Sequence, residues 1–161
     1  MTMKALGSLL LLICVMPLAA QAAQLLPTPA EKITAQQCSA CHIAYPPQML
    51  PARSWQNLMS DLSHHFGEDA SVSDQDRTTI TAYLTAHAAD GSAAGREGER
   101  FLRGLNRLVT PLRITDTPYW QRRHSEIPKQ RFSDPRVKTA ANCGACHNGR
   151  RGFLWGLFDE D

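Results

Sequence analysis

The sequence predicts an all-α protein made of two small helical lobes. Apolar residues recur at helical spacing along most of the chain, no convincing strand pattern appears, and the same five-residue motif, C-x-x-C-H, occurs once in each half. With 161 residues the chain forms one ordinary domain or two small ones, which excludes a large multidomain enzyme. Its 20% charged and 43% hydrophobic residues argue against disorder, and a net charge of only +2 argues against a nucleic-acid partner.

Residues 1–22 are predicted to be a signal peptide. Lys4 precedes an apolar run over residues 6–19, and Ala20-Gln21-Ala22 suits signal peptidase. The run is too short and wrongly flanked for a membrane span, although a retained membrane helix is the alternative reading. We therefore expect a periplasmic protein with no membrane anchor after cleavage.

The mature chain is predicted to divide near Gly91, into an N-terminal lobe over residues 23–91 and a C-terminal lobe over residues 92–161. A helical pattern stops there, and the balance of charge changes sign. Residues 23–95 carry three Lys/Arg against seven Asp/Glu, whereas residues 96–161 carry thirteen against eight. One lobe should be acidic and the other basic.

The four cysteines of the mature chain all fall in C-x-x-C-H motifs, Cys38-Ser39-Ala40-Cys41-His42 and Cys143-Gly144-Ala145-Cys146-His147. Two thiols three positions apart can each add to a vinyl group of a haem, and the histidine that follows then lies under the iron. The motifs predict two covalently attached haem c groups, with His42 and His147 as iron ligands. Each haem would also supply apolar core that a small exported lobe lacks.

Two other uses of C-x-x-C were weighed against haem. An exported protein can use such a pair for thiol–disulfide exchange or as a local disulfide. Two converging pairs can also form a four-thiolate zinc site. Neither reading explains why a histidine follows both pairs.

Three helices are predicted in the N-terminal lobe. The first begins at Pro29 with Thr28 as its cap and runs into the first motif. The second is expected to begin at Pro51 or Ser54 and to end at Phe66, with Gly67 as its C-cap; its apolar face contains Trp55, Leu58, Met59 and Leu62. The third is expected to follow Ser73 and to extend from Asp74 to Ala88; its apolar face contains Ile80, Tyr83 and Leu84.

Three helical segments are predicted in the C-terminal lobe. One passes through Phe101, Leu105 and Leu108; one opens at Thr117-Pro118 and presents His124; one is capped by Asp134 and runs through Val137 into the second motif. The apolar tail at residues 153–158 is expected to pack on the second haem or the lobe boundary, with a partner-binding peptide as the alternative.

The second axial ligand decides whether each haem iron transfers electrons or binds a reactant. For the first haem, His65 lies on the apolar face of its helix, whereas His64 lies on the polar side. His87, Met49 and Met59 are the alternatives, with His87 placed where it can interact with the helix C-terminus and Met59 in a core position.

For the second haem, His124 is the histidine left in its lobe, and no methionine follows Met59. An iron with an open position is the alternative, and it would make the lobe a ligand-binding or catalytic site.

The order and spacing of several further motifs resemble the dihaem cytochromes c of proteobacteria, often called DHC. These motifs are Ala44-Tyr45, Leu50-Pro51-Ala52-Arg53-Ser54-Trp55, His65-Phe66-Gly67, Tyr83-Leu84, Arg113-Ile114-Thr115, Pro118-Tyr119, His124 and Ala141-Asn142-Cys143. The resemblance implies an N-terminal lobe similar to a compact class I cytochrome c and two bis-histidine haems. It supports His65 and His124 as ligands and counts against His87.

The resemblance also implies an electron carrier rather than an enzyme. Its implied partners are redox proteins, namely a small oxygen-binding monohaem cytochrome and a membrane cytochrome b. A basic surface is the docking hypothesis for a partner, formed by Arg122, Arg123, Lys129, Arg131 and Arg136. The alternatives are a haem enzyme or sensor of the peroxidase type with one open iron, and an electron-transfer subunit of a periplasmic reductase.

Overall fold

Residues 27–147 are described by the structure, a computed structural model. The six helices are α1 (Pro29–Cys38), α2 (Ala52–Ser60), α3 (Asp74–Ala86), α4 (Gly95–Leu102), α5 (Pro118–Arg123) and α6 (Lys129–Phe132). Short 3₁₀ turns lie at Pro47–Met49, Leu62–His64, Ile114–Asp116 and Cys143–Ala145. This part of the chain contains no strand, which confirms the all-α class. The predicted signal peptide and apolar tail lie outside the described residues.

Side-chain caps start three of these helices where the sequence predicts. The hydroxyl of Thr28 accepts a hydrogen bond from the Glu31 backbone at 3.1 Å, and Pro29 occupies the first turn of α1. Ser73 caps α3 in the same way, and Thr117 caps α5 through the Trp120 backbone at 3.3 Å. Each cap satisfies a backbone N–H that has no partner inside its own helix.

The larger apolar core lies within the predicted N-terminal lobe, where α3 packs on both α1 and α2. Its buried side chains are Leu50, Trp55, Met59, Ile80, Leu84 and Ala88. Burying each of the larger ones stabilises the fold by about 1.5–3 kcal/mol. The Trp55 indole also donates a 2.7 Å hydrogen bond to the Pro47 carbonyl, so its one polar atom is satisfied. The predicted apolar faces of α2 and α3 are confirmed.

A second, smaller cluster joins residues on both sides of position 91. Met49, Ala89 and Phe101 are buried in it, and Tyr119 packs against it from the side. Phe101 and Tyr119 meet edge to face with ring centroids 4.6 Å apart. This cluster fixes α4 and α5 against the turn that follows α1.

The Arg53 side chain makes a polar link across the same region. Its guanidinium donates to the Val109 carbonyl at 2.6 and 2.8 Å and lies 3.6 Å from the Asp90 carboxylate. Asp90 in turn accepts a 2.6 Å hydrogen bond from the Ala52 backbone at the start of α2. Arg53 therefore holds the loop before Ile114 on the N-terminal lobe.

The expected helix from Pro51 or Ser54 to Phe66 is too long. α2 ends at Ser60, because Asp61 leaves the helical region with φ −141° and ψ 61°. The Asp61 carboxylate accepts hydrogen bonds from Ser63 and the His64 ring, which favour a 3₁₀ turn over a further helical turn. Gly67 does adopt a left-handed φ of 102°, but it closes this turn rather than the helix.

Two predictions in the C-terminal lobe are also wrong. α4 ends at Leu102 and does not reach Leu105 or Leu108, because Gly104 turns the chain with a φ of 83°. Asp134 does not start a helix: its carboxylate binds the Arg136 side chain and backbone, and Lys138 takes a left-handed φ of 71°. The second motif therefore lies on a 3₁₀ turn. The first motif likewise leaves its helix at Cys38.

The predicted C-terminal lobe buries little apolar surface between the end of α4 and His147. Neither α5 nor α6, the latter not predicted from the sequence, contains a buried residue. Val137 is its main buried aliphatic side chain after α5. Over residues 27–147, no helix combines the length and apolar character that a bilayer crossing requires.

Candidate haem sites

The cysteine thiols of both motifs are free in the structure. Cys38 and Cys143, the first cysteine of each motif, are partly buried, and burial raises the pKa of both thiols. Cys41 and Cys146 are exposed. Within residues 27–147 no three His, Cys, Asp or Glu side chains are arranged to hold a metal ion, so the two pairs do not converge on a zinc site.

His42 is held in one orientation by two neighbours. Its Nδ1 atom lies 2.6 Å from the Ile43 carbonyl, and this contact places the proton on Nδ1. The ring of Tyr45 stacks on the imidazole, with centroids 4.7 Å apart and planes 21° apart. The other ring nitrogen, Nε2, is therefore left unprotonated and able to bind a metal.

His65 faces His42 across the first site. The two imidazole centroids lie 6.2 Å apart and their planes differ by 27°. The backbone around His65 is tightly turned, since Glu68 donates to the His65 carbonyl at 3.1 Å and Ala70 donates to the Leu62 carbonyl at 2.9 Å. Burial, followed by the nearby His42 and Arg113 charges, lowers the pKa of His65 and so favours its neutral form.

His124 faces His147 across the second site at the same separation. Their ring centroids are 6.2 Å apart, but their planes differ by 77°. His124 sits at the C-cap of α5, where its Nδ1 lies 2.8 Å from the Trp120 carbonyl. Burial and the neighbouring His124 lower the pKa of His147.

The separation within both pairs fits one iron between two imidazoles. Two metal–nitrogen bonds of about 2 Å, with about 1 Å more from each nitrogen to its ring centre, place the centroids about 6 Å apart. Neutral imidazoles are the form that coordinates metals, which agrees with the lowered pKa of His65 and His147. The residues present therefore fit two haem groups, each between a motif histidine and a facing histidine.

The other candidate ligands lie elsewhere. His87 caps α3, with its Nδ1 2.9 Å from the Tyr83 carbonyl and its ring packed on the Tyr83 ring. His64 is exposed and pairs with Asp61 at 2.8 Å. The two methionine sulfur alternatives, Met49 and Met59, are buried in the two apolar clusters.

Sequence reasoning missed the aromatic residues that contact the histidines. Trp120 stacks on His124 with centroids 4.3 Å apart and planes 16° apart, and Phe132 of α6 packs beside both rings. The signal for Trp120 was its position four residues before His124, because residues at this spacing share one face of a helix. Phe132 has no comparable local signal.

A helical chain with two C-x-x-C-H motifs, each brought to a facing histidine, is a c-type cytochrome. A sequence profile described as dihaem cytochrome c (DHC) matches residues 34–155. This chain belongs to the dihaem cytochrome c family, and it accordingly binds two covalently attached c-type haems. A comparison with curated proteins found no match.

Solved structures of dihaem cytochromes agree with this assignment. A dihaem cytochrome c from Rhodobacter sphaeroides is 46% identical over 77% of this chain and 95% of its own, with a TM-score of 0.67. DHC purified from Rhodobacter sphaeroides is 40% identical over 83% of this chain and 100% of its own, with a TM-score of 0.63. A dihaem cytochrome c from Shewanella baltica is 31% identical over 83% and 91%, with a TM-score of 0.62.

Proposed function

We propose that this protein is an electron carrier in which His42 and His65 ligate one iron, and His124 and His147 ligate the other. The observation that supports the proposal is the 6.2 Å separation of the imidazole centroids in both pairs. An iron with both axial positions filled by protein favours electron transfer over binding or turnover of a substrate.

The residues of each site have separate roles. The cysteines Cys38, Cys41, Cys143 and Cys146 form thioether bonds to the haem vinyl groups. The Ile43 and Trp120 carbonyls keep the protons of His42 and His124 on Nδ1, so that Nε2 of each ring stays available to iron. When bound, each haem supplies the one-electron couple of its iron. Rigid ligands on both sides limit how much the site reorganises when its charge changes.

We also propose export to the periplasm and docking on redox proteins, including an oxygen-binding monohaem cytochrome and a membrane cytochrome b. The predicted signal peptide at residues 1–22 supports export. The opposite formal charges of the two halves support docking, because they would orient the carrier on a partner and speed their encounter at low salt.

A carbon monoxide difference spectrum of the reduced protein tests the carrier against an enzyme with an open iron. We expect no spectral change in the wild type and CO binding at one iron in each of His65→Ala and His124→Ala. His87→Ala is the matched control, since His87 caps α3, and it should behave as the wild type. CO binding to the wild-type protein would contradict the proposal.

A further inference from the structure

Trp120 restrains His124 in two ways at once. Its backbone carbonyl lies 2.8 Å from Nδ1 of the imidazole, and its indole ring stacks on the imidazole face at 4.3 Å. The hydrogen bond limits tilting of the imidazole, while the flat indole opposes rotation about the axis through Nε2. Phe132 lies 5.4 Å from the Trp120 ring and supports it from α6.

Tyr45 has the corresponding position at the first site, although it comes from a different part of the chain. Its ring stacks on His42 at 4.7 Å, and the Ile43 carbonyl holds Nδ1 of that imidazole at 2.6 Å. The Tyr45 ring cannot turn freely, because its hydroxyl is fixed on the Ala141 carbonyl at 2.6 Å. One imidazole in each pair is thus restrained by a carbonyl and by an aromatic face.

The two sites differ in the angle between their imidazole planes. The planes of His42 and His65 are 27° apart, whereas those of His124 and His147 are 77° apart. We propose that Trp120 and Tyr45 are positioning residues that set these angles, so that the first iron has nearly parallel imidazoles and the second has nearly perpendicular ones. The inference rests on the proposed bis-histidine ligation.

This angle has a spectroscopic consequence for low-spin ferric iron. Parallel imidazoles both act on the same iron d orbital of π symmetry, which separates its energy from that of its partner orbital. Perpendicular imidazoles act on one orbital each, so the two energies stay close. Closely spaced orbitals give a much more anisotropic paramagnetic resonance signal, with a larger maximum g value. The two haems should therefore give two distinct low-spin signals.

Low-temperature paramagnetic resonance of the oxidised protein, with both haems attached, tests the proposal. We expect one rhombic signal and one signal of large maximum g in the wild type. Trp120→Leu removes the flat ring but keeps the carbonyl, so it should shift the large-g signal towards lower anisotropy and leave the rhombic signal in place. Tyr45→Leu should shift the rhombic signal alone. The matched control Trp120→Phe keeps an aromatic ring and the backbone carbonyl, and it should keep both signals.

Several results would overturn the proposal. One is a pair of identical low-spin signals in the wild type, and another is an unchanged large-g signal in Trp120→Leu. If Trp120→Leu does not retain its second haem, the Trp120→Met variant takes its place in the test, because methionine is a long apolar side chain without a ring. Loss of the haem from both variants would show that Trp120 is needed to hold the second haem and would overturn its role in setting the angle. A high-spin wild-type signal would instead refute bis-histidine ligation itself, so the two failures are distinguishable.

Discussion

The Tyr45 hydroxyl donates a 2.6 Å hydrogen bond to the carbonyl of Ala141, 96 positions further along the chain. The same Tyr45 ring stacks on His42, the histidine of the first motif, while Ala141 lies two residues before Cys143 of the second. A single side chain therefore connects the histidine of the first motif with the backbone that leads to the second motif. The two haem sites are parts of one packed structure rather than independent attachments.

Tyr45→Phe tests the strength of this connection. Loss of the hydrogen bond should lower the free energy of unfolding by about 1 kcal/mol at neutral pH. Burial raises the pKa of Tyr45 from 10.0 to about 12. The unfolded chain therefore ionises Tyr45 first as the pH rises, so the advantage of the wild type is complete below pH 10 and declines between pH 10 and 12.

Urea unfolding of both proteins at a series of pH values measures the difference. The comparison isolates Tyr45, because Tyr83, whose pKa is also raised by burial, is present in both proteins. A difference in stability that stays constant up to pH 12 would show that the Tyr45 hydroxyl is not held as described.

Gly98 is predicted to be intolerant of a side chain. A Cβ atom there would overlap the Ala89 carbonyl oxygen and lie 2.6 Å from the Ala94 Cβ, where α4 crosses the end of the N-terminal lobe. Gly98→Ala should destabilise the protein by about 1–3 kcal/mol despite the better helix propensity of alanine. Glu99→Ala, on the exposed neighbour, is the control and should change stability by about 0.5 kcal/mol at most. Thermal unfolding that ranks the two variants in the opposite order would refute this packing.

Much of the site could be predicted from the sequence, because the responsible signals are local. Covalent haem attachment follows from the spacing of Cys38, Cys41 and His42 and its repetition at the second motif. The cap at Thr28 and the apolar faces of α2 and α3 follow from patterns within one or two helical turns. These are the features in which neighbouring residues determine the outcome.

The errors occur where side chains compete with a helix or where contacts are distant in the chain. The sequence predicts Asp61 inside a helix and Asp134 at the start of one. In the structure each carboxylate instead binds a nearby side chain and stabilises a turn. The contact of Tyr45 with Ala141 has no local signature. The tilt between imidazole planes depends on the packing of several segments, and no pattern in the sequence reports it.

The two lobes should respond differently to loss of their haem. The N-terminal lobe has an apolar core around Trp55 and Ile80, whereas α5 and α6 bury no residue. Cys143→Ser combined with Cys146→Ser should therefore abolish protection from amide hydrogen exchange in α6 and preserve it in α3. Protected amides in α6 without the second haem would contradict this assignment of stability.

The basic surface around Arg122 and Arg123 is expected to guide a redox partner. Asp134 pairs with Arg136 at 2.9 Å and lies 3.5 Å from Arg131, which partly neutralises these two arginines. The other cations of the surface, Arg122, Arg123 and Lys129, should therefore contribute most of its positive potential. Arg123→Glu should slow reduction by an anionic partner such as a flavodoxin by about tenfold at low ionic strength. Lys32→Glu on α1 makes the same change in net charge and is the matched control. Equal slowing by both variants would mean that net charge, rather than this surface, guides the encounter.

Near-infrared magnetic circular dichroism of the oxidised protein tests most directly whether both irons have two imidazole ligands. The charge-transfer band of low-spin haem in this region differs between bis-histidine and histidine–methionine ligation, and His65→Met and His124→Met provide internal standards. We predict bis-histidine bands for both haems in the wild type, with one haem converted in each variant. A histidine–methionine or high-spin band in the wild type would contradict the assignment of His65 and His124.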